Sequence, residues 1–353
     1  MKRTKLLMLM LIAIFSLALM ACNGSDSLPA EQDPVPPDEV TDAPPEDAGI
    51  AEEFEAQGAH VSVGAIRGPS GMSIAPLMEW SQGGQTSNVY HFTLGGSPED
   101  MTAGIISGEL DIAAVPINLA SVLYNRLEGE IRIIGINTLG VLSVLDATGE
   151  IHEVEDLRGR TINIIGQGAT PQFALEHILR QNGLEPGVDV QIEFNAEPAE
   201  LASLMIAGNI QIGMLPQPFA TTVLNNSDDI RLAIDLTREW EIATPGTQFV
   251  QTAIVVRTAF LDGNLDAVRL FLEDHYNSVA YVNANPERAA ALMELYDIIP
   301  AAIAVQAIPR SNLVHIDGSA MVPFVESVLG VLYGANPQAV GGALPSEDFF
   351  FLG

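Results

Sequence analysis

Residues 161–171 read Thr161-Ile162-Asn163-Ile164-Ile165-Gly166-Gln167-Gly168-Ala169-Thr170-Pro171. The short β-branched run predicts a buried strand, and the glycine turn after it leads into a helix with proline in its first turn. A strand, a glycine turn and a helix start form half of a β/α crossover unit.

The same grammar stands 100 residues earlier. Residues 61–66 alternate as a strand, stop at Gly68-Pro69-Ser70-Gly71, and give way to helical spacing over 72–80. A strand over 89–94 ends at Gly95-Gly96, after which Ser97-Pro98-Glu99-Asp100 supplies an N-cap, a first-turn proline and acids at the positive end of the helix dipole. Strands follow at 111–115, broken by Pro116, and at 131–136. Beyond residue 171 the chain repeats the pattern with strands at 188–194 and 211–215, the latter broken by Pro216, and helices at 197–207 and 219–224. Gly68 and Gly168, Pro98 and Pro198, Gly108 and Gly208, and Pro116 and Pro216 coincide at the offset of 100, all at turns or breaks. Turn chemistry alone could produce such matches, but together with the alternation they predict an α/β protein of two similar lobes with largely parallel sheets. A strand over 251–257 and helices at 265–283, 286–296 and 321–333 are expected to pack back on the first lobe. The expected division is 59–145 plus 247–353 for lobe 1 and 146–246 for lobe 2.

The N-terminal stretch has a different character. Lys2, Arg3 and Lys5 precede an apolar run over 6–20 that ends Leu19-Met20-Ala21-Cys22. A charged start, a short apolar centre and a small-residue end predict a cleaved signal over 1–21. Cys22 is the chain's one cysteine, so no intrachain disulfide can form. Residues 22–58 are rich in Pro, Asp and Glu and contain no Lys or Arg, which predicts an extended acidic tether.

With 15 Lys and Arg against 45 Asp and Glu the net charge is -30, which excludes nucleic acid as an electrostatic partner. Lys2 and Lys5 are the chain's lysines and both lie in the expected signal, leaving none for a Schiff base or a phosphate loop. The six histidines are scattered without metal-ligand spacing, so no metal and no cofactor is expected. Pro171 stands where a dinucleotide fingerprint needs its third glycine. Glu109 and Asp111 read as a solvated turn. Arg67 closes the first strand and could face an anion or make a surface ion pair. Trp80 and Trp240 could stack on a heterocycle, although Trp80 has core spacing with Leu77.

Open α/β sheets bind ligands at the carboxyl ends of their strands, where helix starts offer free N–H groups. The candidate ligand contacts are therefore the turns Pro69, Ser70, Gly71 and Met72; Gly96 and Ser97; Pro116 and Asn118; Gln167, Gly168, Ala169 and Thr170; and Gln217. Ordinary turn and capping chemistry would also account for each of them singly.

Three segments in order, Gly108-Glu-Leu-Asp111-Ile-Ala-Ala-Val-Pro116, Val154-Glu-Asp-Leu-Arg-Gly159-Arg-Thr-Ile and Leu215-Pro216-Gln217-Pro218-Phe219-Ala220, resemble the NMT1/THI5-like group of type II periplasmic binding proteins. The Cys22 segment likewise resembles a bacterial lipobox, which implies a lipid on Cys22. The resemblance implies two α/β lobes around a ligand cleft, closure on a small molecule, and delivery to an ABC permease by a monomeric, extracytoplasmic, lipid-anchored receptor that is not an enzyme. Lacking an evident basic cluster in these turns, the chain departs from members specific for sulfonate or nitrate, which points to a neutral or heterocyclic ligand. An enzyme on the same lobe pair and a ligand sensor without transport are the alternatives.

Overall fold

The computed structural model describes residues 58–353. The expected signal, the lipidation of Cys22 and the tether up to residue 57 lie outside the described residues. From Gly58 the chain builds β1 (His60–Ile66), α1 (Pro69–Gln82), β2 (Val89–Gly95), α2 (Pro98–Ser107), β3 (Ile112–Pro116), α3 (Ile117–Arg126) and β4 (Ile131–Leu139). It then runs through β5 (Leu142–Asp146), β6 (Thr161–Ile164), α4 (Thr170–Gln181), β7 (Gln191–Phe194), α5 (Pro198–Ile206), β8 (Ile212–Pro216), α6 (Phe219–Asn226), β9 (Arg231–Asp235) and α7 (Leu236–Ala243). The return comprises β10 (Val250–Arg257), α8 (Thr258–Gly263), α9 (Leu265–Ala284), α10 (Pro286–Leu295), α11 (Ala301–Ala307), β11 (Leu313–Ile316) and α12 (Gly318–Ala335).

Two sheets result. The first has the order β11-β4-β10-β3-β1-β2 and the second β7-β6-β8-β5-β9. β1 pairs in parallel with β2 and β3, and β6 in parallel with β7 and β8, as β/α alternation requires. β10 enters the first sheet antiparallel between β3 and β4, and β5 enters the second antiparallel between β8 and β9. β10 and β11 thus run against the other strands of the first sheet and β5 against those of the second, with β5 and β10 standing where the chain passes between lobes. The first crossing is the two-residue step Gly140–Val141 from β4 to β5. All of β5 is hydrogen-bonded into the second sheet.

Burial follows the pattern of the strands. β3 and β8 are buried along four consecutive residues because helices cover both faces, and Pro116 and Pro216 end them. Gly64 lies in β1, and Gly213 lies in β8, the counterpart of β3. A β-carbon on Gly64 would meet Leu110 at 2.5 Å and Met101 at 2.8 Å, and one on Gly213 would meet Met205 at 2.5 Å, so both glycines let a helix lie close on the sheet. Of the C-terminal helices, α9 packs on α1, and α12 lies along β4 and β10. α12 also reaches across to α4 of the second lobe, while α11 touches α6. One apolar core, including Ile133, Val255 and Leu329 with Ile162, Phe173 and Leu179, consequently runs through both lobes.

Candidate functional site

The strand directions put the carboxyl ends of β1 and β3 at the edge of lobe 1 where Gly140–Val141 leaves it, and those of β6 and β8 at the facing edge of lobe 2. The starts of α1, α3, α4 and α6 therefore face one another. Four candidates with polar side chains are buried there: Ser70 at 4%, Asn118 at 6%, Thr170 at 1% and Gln217 at 2% exposure.

The structure brings two of them into contact. Thr170 donates its hydroxyl to Asn118 Oδ1 over 3.1 Å, a bond from lobe 2 to lobe 1. Ser70 is turned back on its own strand, accepting from Ile66 N at 3.2 Å and donating to Ile66 O at 3.1 Å. Gly71 and Met72 are buried in the first turn of α1. A β-carbon on Gly71 would meet Ile66 O at 2.9 Å, so the glycine permits this close return. Pro69 and Pro116 are half-buried at the helix starts.

Other candidate turns consume their own donors. Asp100 Oδ2 accepts from Gly96 N at 2.8 Å and Ser97 N at 3.0 Å, and these two bonds hold its carboxyl below the usual range. That turn carries a carboxylate of its own and lies beside the edge strand β2. Gln172 Oε1 accepts from Gly168 N at 2.7 Å, and Ala169 N donates to Gly166 O. Gln167 and Gly168 are exposed, with Gly166 and Gly168 at φ 78° and 73°, a conformation glycine adopts without strain.

Gln217 differs from all of these. It follows β8, precedes Pro218 across a cis peptide bond, and donates its backbone N–H to the crossover carbonyl of Val141 at 3.0 Å. Its Oε1 accepts from the Thr221 hydroxyl at 2.7 Å and Thr221 N at 3.3 Å. A backbone N–H can only donate, so the amide orientation is fixed and Nε2 points its two hydrogens elsewhere. Nε2 is buried without a partner. Leaving such a donor unpaired costs about 1–3 kcal/mol.

Thr138 Oγ1, Asn195 Oδ1 and Gln251 Oε1 are buried and unpartnered too. Thr138 stands near the end of β4, Asn195 follows β7, and Gln251 begins β10 opposite the end of β4. Four of the five such atoms among the described residues thus lie at the lobe edges that face each other, and the fifth is Asn88 Oδ1. Sequence reading missed Thr138, Asn195 and Gln251. The usable signal was Asn137-Thr138 and Gln251-Thr252, polar pairs interrupting apolar strands at their adjoining ends.

Arg67 donates to Asp297 O and Leu94 O, each at 3.0 Å, and makes the surface ion pair with Asp297 that was one of its two expected roles. None of the ion pairs and hydrogen bonds of the described arginines reaches a candidate residue. Two expectations are corrected. Asp111 is not a solvated turn residue, since it pairs with Arg257 at 2.6 Å and accepts from Ser62 N, at the end of β3 away from the crossover. Trp240 is fully buried against Phe249 and unavailable for stacking, whereas Trp80 is half-buried edge-on to Tyr281.

The model of the NMT1/THI5-like family matches residues 95–289. Similar solved structures include an ABC transporter protein from Parabacteroides distasonis, at 22% identity and TM-score 0.71 over 83% of this chain and 98% of that one. They also include the periplasmic aliphatic sulphonate binding protein SsuA from Escherichia coli, at 15% identity and TM-score 0.67 over 83% and 92%. The periplasmic nitrate-binding protein NrtA from Synechocystis aligns at 12% identity and TM-score 0.59 over 80% and 84%. No curated protein matches the chain by sequence. These likenesses establish the fold as the two-lobed α/β architecture of periplasmic binding proteins, as the sequence led us to expect.

Proposed function

Because the chain belongs to the NMT1/THI5-like family, we propose that it is an extracytoplasmic solute receptor whose lobes close on a small molecule and deliver it to an ABC importer. The observation that carries the reading is the set of unpartnered buried polar atoms at the facing lobe edges, above all Gln217 Nε2. A receptor that encloses its cargo needs such groups, which an enclosed cargo would satisfy. The named functions of the sulphonate-, nitrate- and ABC-type neighbours support transport as the context.

The chemistry of these atoms favours a neutral cargo. Gln217 offers donors without charge, and Thr138, Asn195 and Gln251 offer a hydroxyl and amide oxygens. Amide, imide or heterocyclic edges, which carry acceptors and donors side by side, match this set; sulfonate or nitrate would meet no guanidinium among the ligand contacts we propose. The receptor is not an enzyme in this reading, because the contacts include no nucleophile or acid–base pair. Lipid attachment at Cys22, a monomeric state and a permease partner complete the proposal. In the lobe division we propose, residues 141–246 form the second lobe.

The test is thermal denaturation of the full chain with uracil, cytosine, riboflavin, taurine, ethanesulfonate and nitrate. A cargo at 100 times its Kd stabilises by about 2.7 kcal/mol. Stabilisation by a neutral compound, lost in Gln217→Leu, supports the assignment. Stabilisation by an anion alone would keep the receptor but refute the neutral class.

A further inference from the structure

A cavity between the lobes lies on the side of the crossover away from the candidate site. In each sheet the crossover strand has one neighbour toward the candidate site, β10 for β4 and β8 for β5, and one neighbour away from it, β11 and β9. The cavity, about 130 Å³, is walled by Gly140, Val141 and Ser143 of the crossover, by Asp235 and Thr237 where β9 enters α7, and by Arg310 and Asn312 ahead of β11. Lobe 1 therefore contributes a guanidinium and lobe 2 a carboxylate. They make no ion pair with each other, and the Arg310 side chain has no ion pair or hydrogen bond to another of the described residues. Asp235 uses Oδ1 to accept from Thr237 N at 2.9 Å.

The walls are held firmly. Asn312 adopts φ 43°, donates from Nδ2 to Gly140 O at 2.5 Å, and accepts Leu139 N at its own carbonyl at 3.1 Å. Gly140 has no room for a side chain, since a β-carbon there would meet Thr237 Oγ1 at 2.3 Å and Phe249 at 2.7 Å. A cavity of about 150 Å³ accommodates a six-membered hydrocarbon ring. The space here suits a solute of about six non-hydrogen atoms.

We propose that this cavity is a second binding site, for a small zwitterion whose acid group meets Arg310 and whose ammonium group meets Asp235. Its occupant joins the lobes across the crossover and so favours the arrangement in which Thr170 and Asn118 are bonded. By linkage, it tightens cargo binding at the candidate site, and cargo tightens the zwitterion by the same factor. The site does not depend on the import role.

The test uses glycine, β-alanine and 4-aminobutanoate as probes, with acetate and methylammonium as controls at equal ionic strength. Melting of the full chain is followed for the wild type, Arg310→Gln and Asp235→Asn. Both side chains are exposed, so the variants are expected to melt as the wild type does without probe. One zwitterion should raise the wild-type midpoint saturably, and each substitution should weaken its binding about tenfold or more, the loss of one charge-assisted contact. The proposal fails if no zwitterion acts, if acetate alone reproduces the rise, or if both variants respond like the wild type, which would place the probe elsewhere.

Discussion

Thr170 and Asn118, 52 residues apart and in different lobes, share a hydrogen bond of 3.1 Å with both side chains buried. The bond joins the first turn of α4 to the first turn of α3, so it exists only while the lobes are together. Thr170→Val keeps the shape and removes the hydroxyl, leaving Asn118 Oδ1 without this donor. We expect a loss of about 1–2 kcal/mol in favour of separated lobes. Small-angle scattering should show a larger radius of gyration for the variant at unchanged helix content; an unchanged radius would mean that the bond does not hold the lobes.

Asp146 is a structural counterpart, buried at the end of β5. Its carboxylate accepts from Thr148 N at 2.8 Å, the Thr148 hydroxyl at 2.6 Å, Ile151 N at 3.1 Å and Arg231 at 3.0 Å. Burial opposes its ionisation, but these bonds and the Arg231 charge outweigh burial and hold the carboxyl below its usual range. Asp146→Ala should cost about 3 kcal/mol or more, read by urea denaturation. With its folded pKa below the unfolded value of about 3.9, its stabilisation is present at neutral pH and is lost as pH falls below about 4.

His275 and His315 give lobe 1 a separate acid sensitivity. Their Nδ1 atoms lie 2.7 Å apart, room for one shared proton. Ser73 donates its hydroxyl to Ser70 O, so His275 Nε2 must be the donor in its contact with Ser73 Oγ, and His275 Nδ1 the acceptor from His315. Burial, then the His315 charge, push His275 well below its ordinary value; burial also lowers His315, against the raising effect of Asp317. Tyr276 sits edge-on to His315 at 5.8 Å. A depressed histidine binds fewer protons folded than unfolded, so stability is full above about pH 6.5 and declines as pH falls below it. The melting midpoint should drop between pH 7.5 and 5.5, and less in His275→Gln; equal slopes would assign the effect to other groups.

Much of the fold was legible because turn residues and apolar periods agree along the chain. Gly68, Gly168, Pro116 and Pro216 mark where strands stop, and strand ends are where the lobes face each other. What escaped were features fixed by distant partners. β5 was not among the predicted strands, and its membership in the second sheet depends on β8 and β9, about 70 to 90 residues away. Asp111 looked solvated because Arg257 lies 146 residues on. The Gly96–Ser97 turn looked open to a ligand because capping by Asp100 and anion binding use the same N–H groups. Gln217 was visible as a polar turn residue, but its orphaned Nε2 follows only from the Thr221 contacts.

The most direct measurement is a calorimetric titration of the full chain with the most stabilising solute, with the solute then recovered and identified by nuclear magnetic resonance. The expected result is one-to-one binding, a heat-capacity decrease from buried surface on lobe closure, and return of the solute intact. Conversion of the solute into a product would contradict it, and would make the cleft an active site instead.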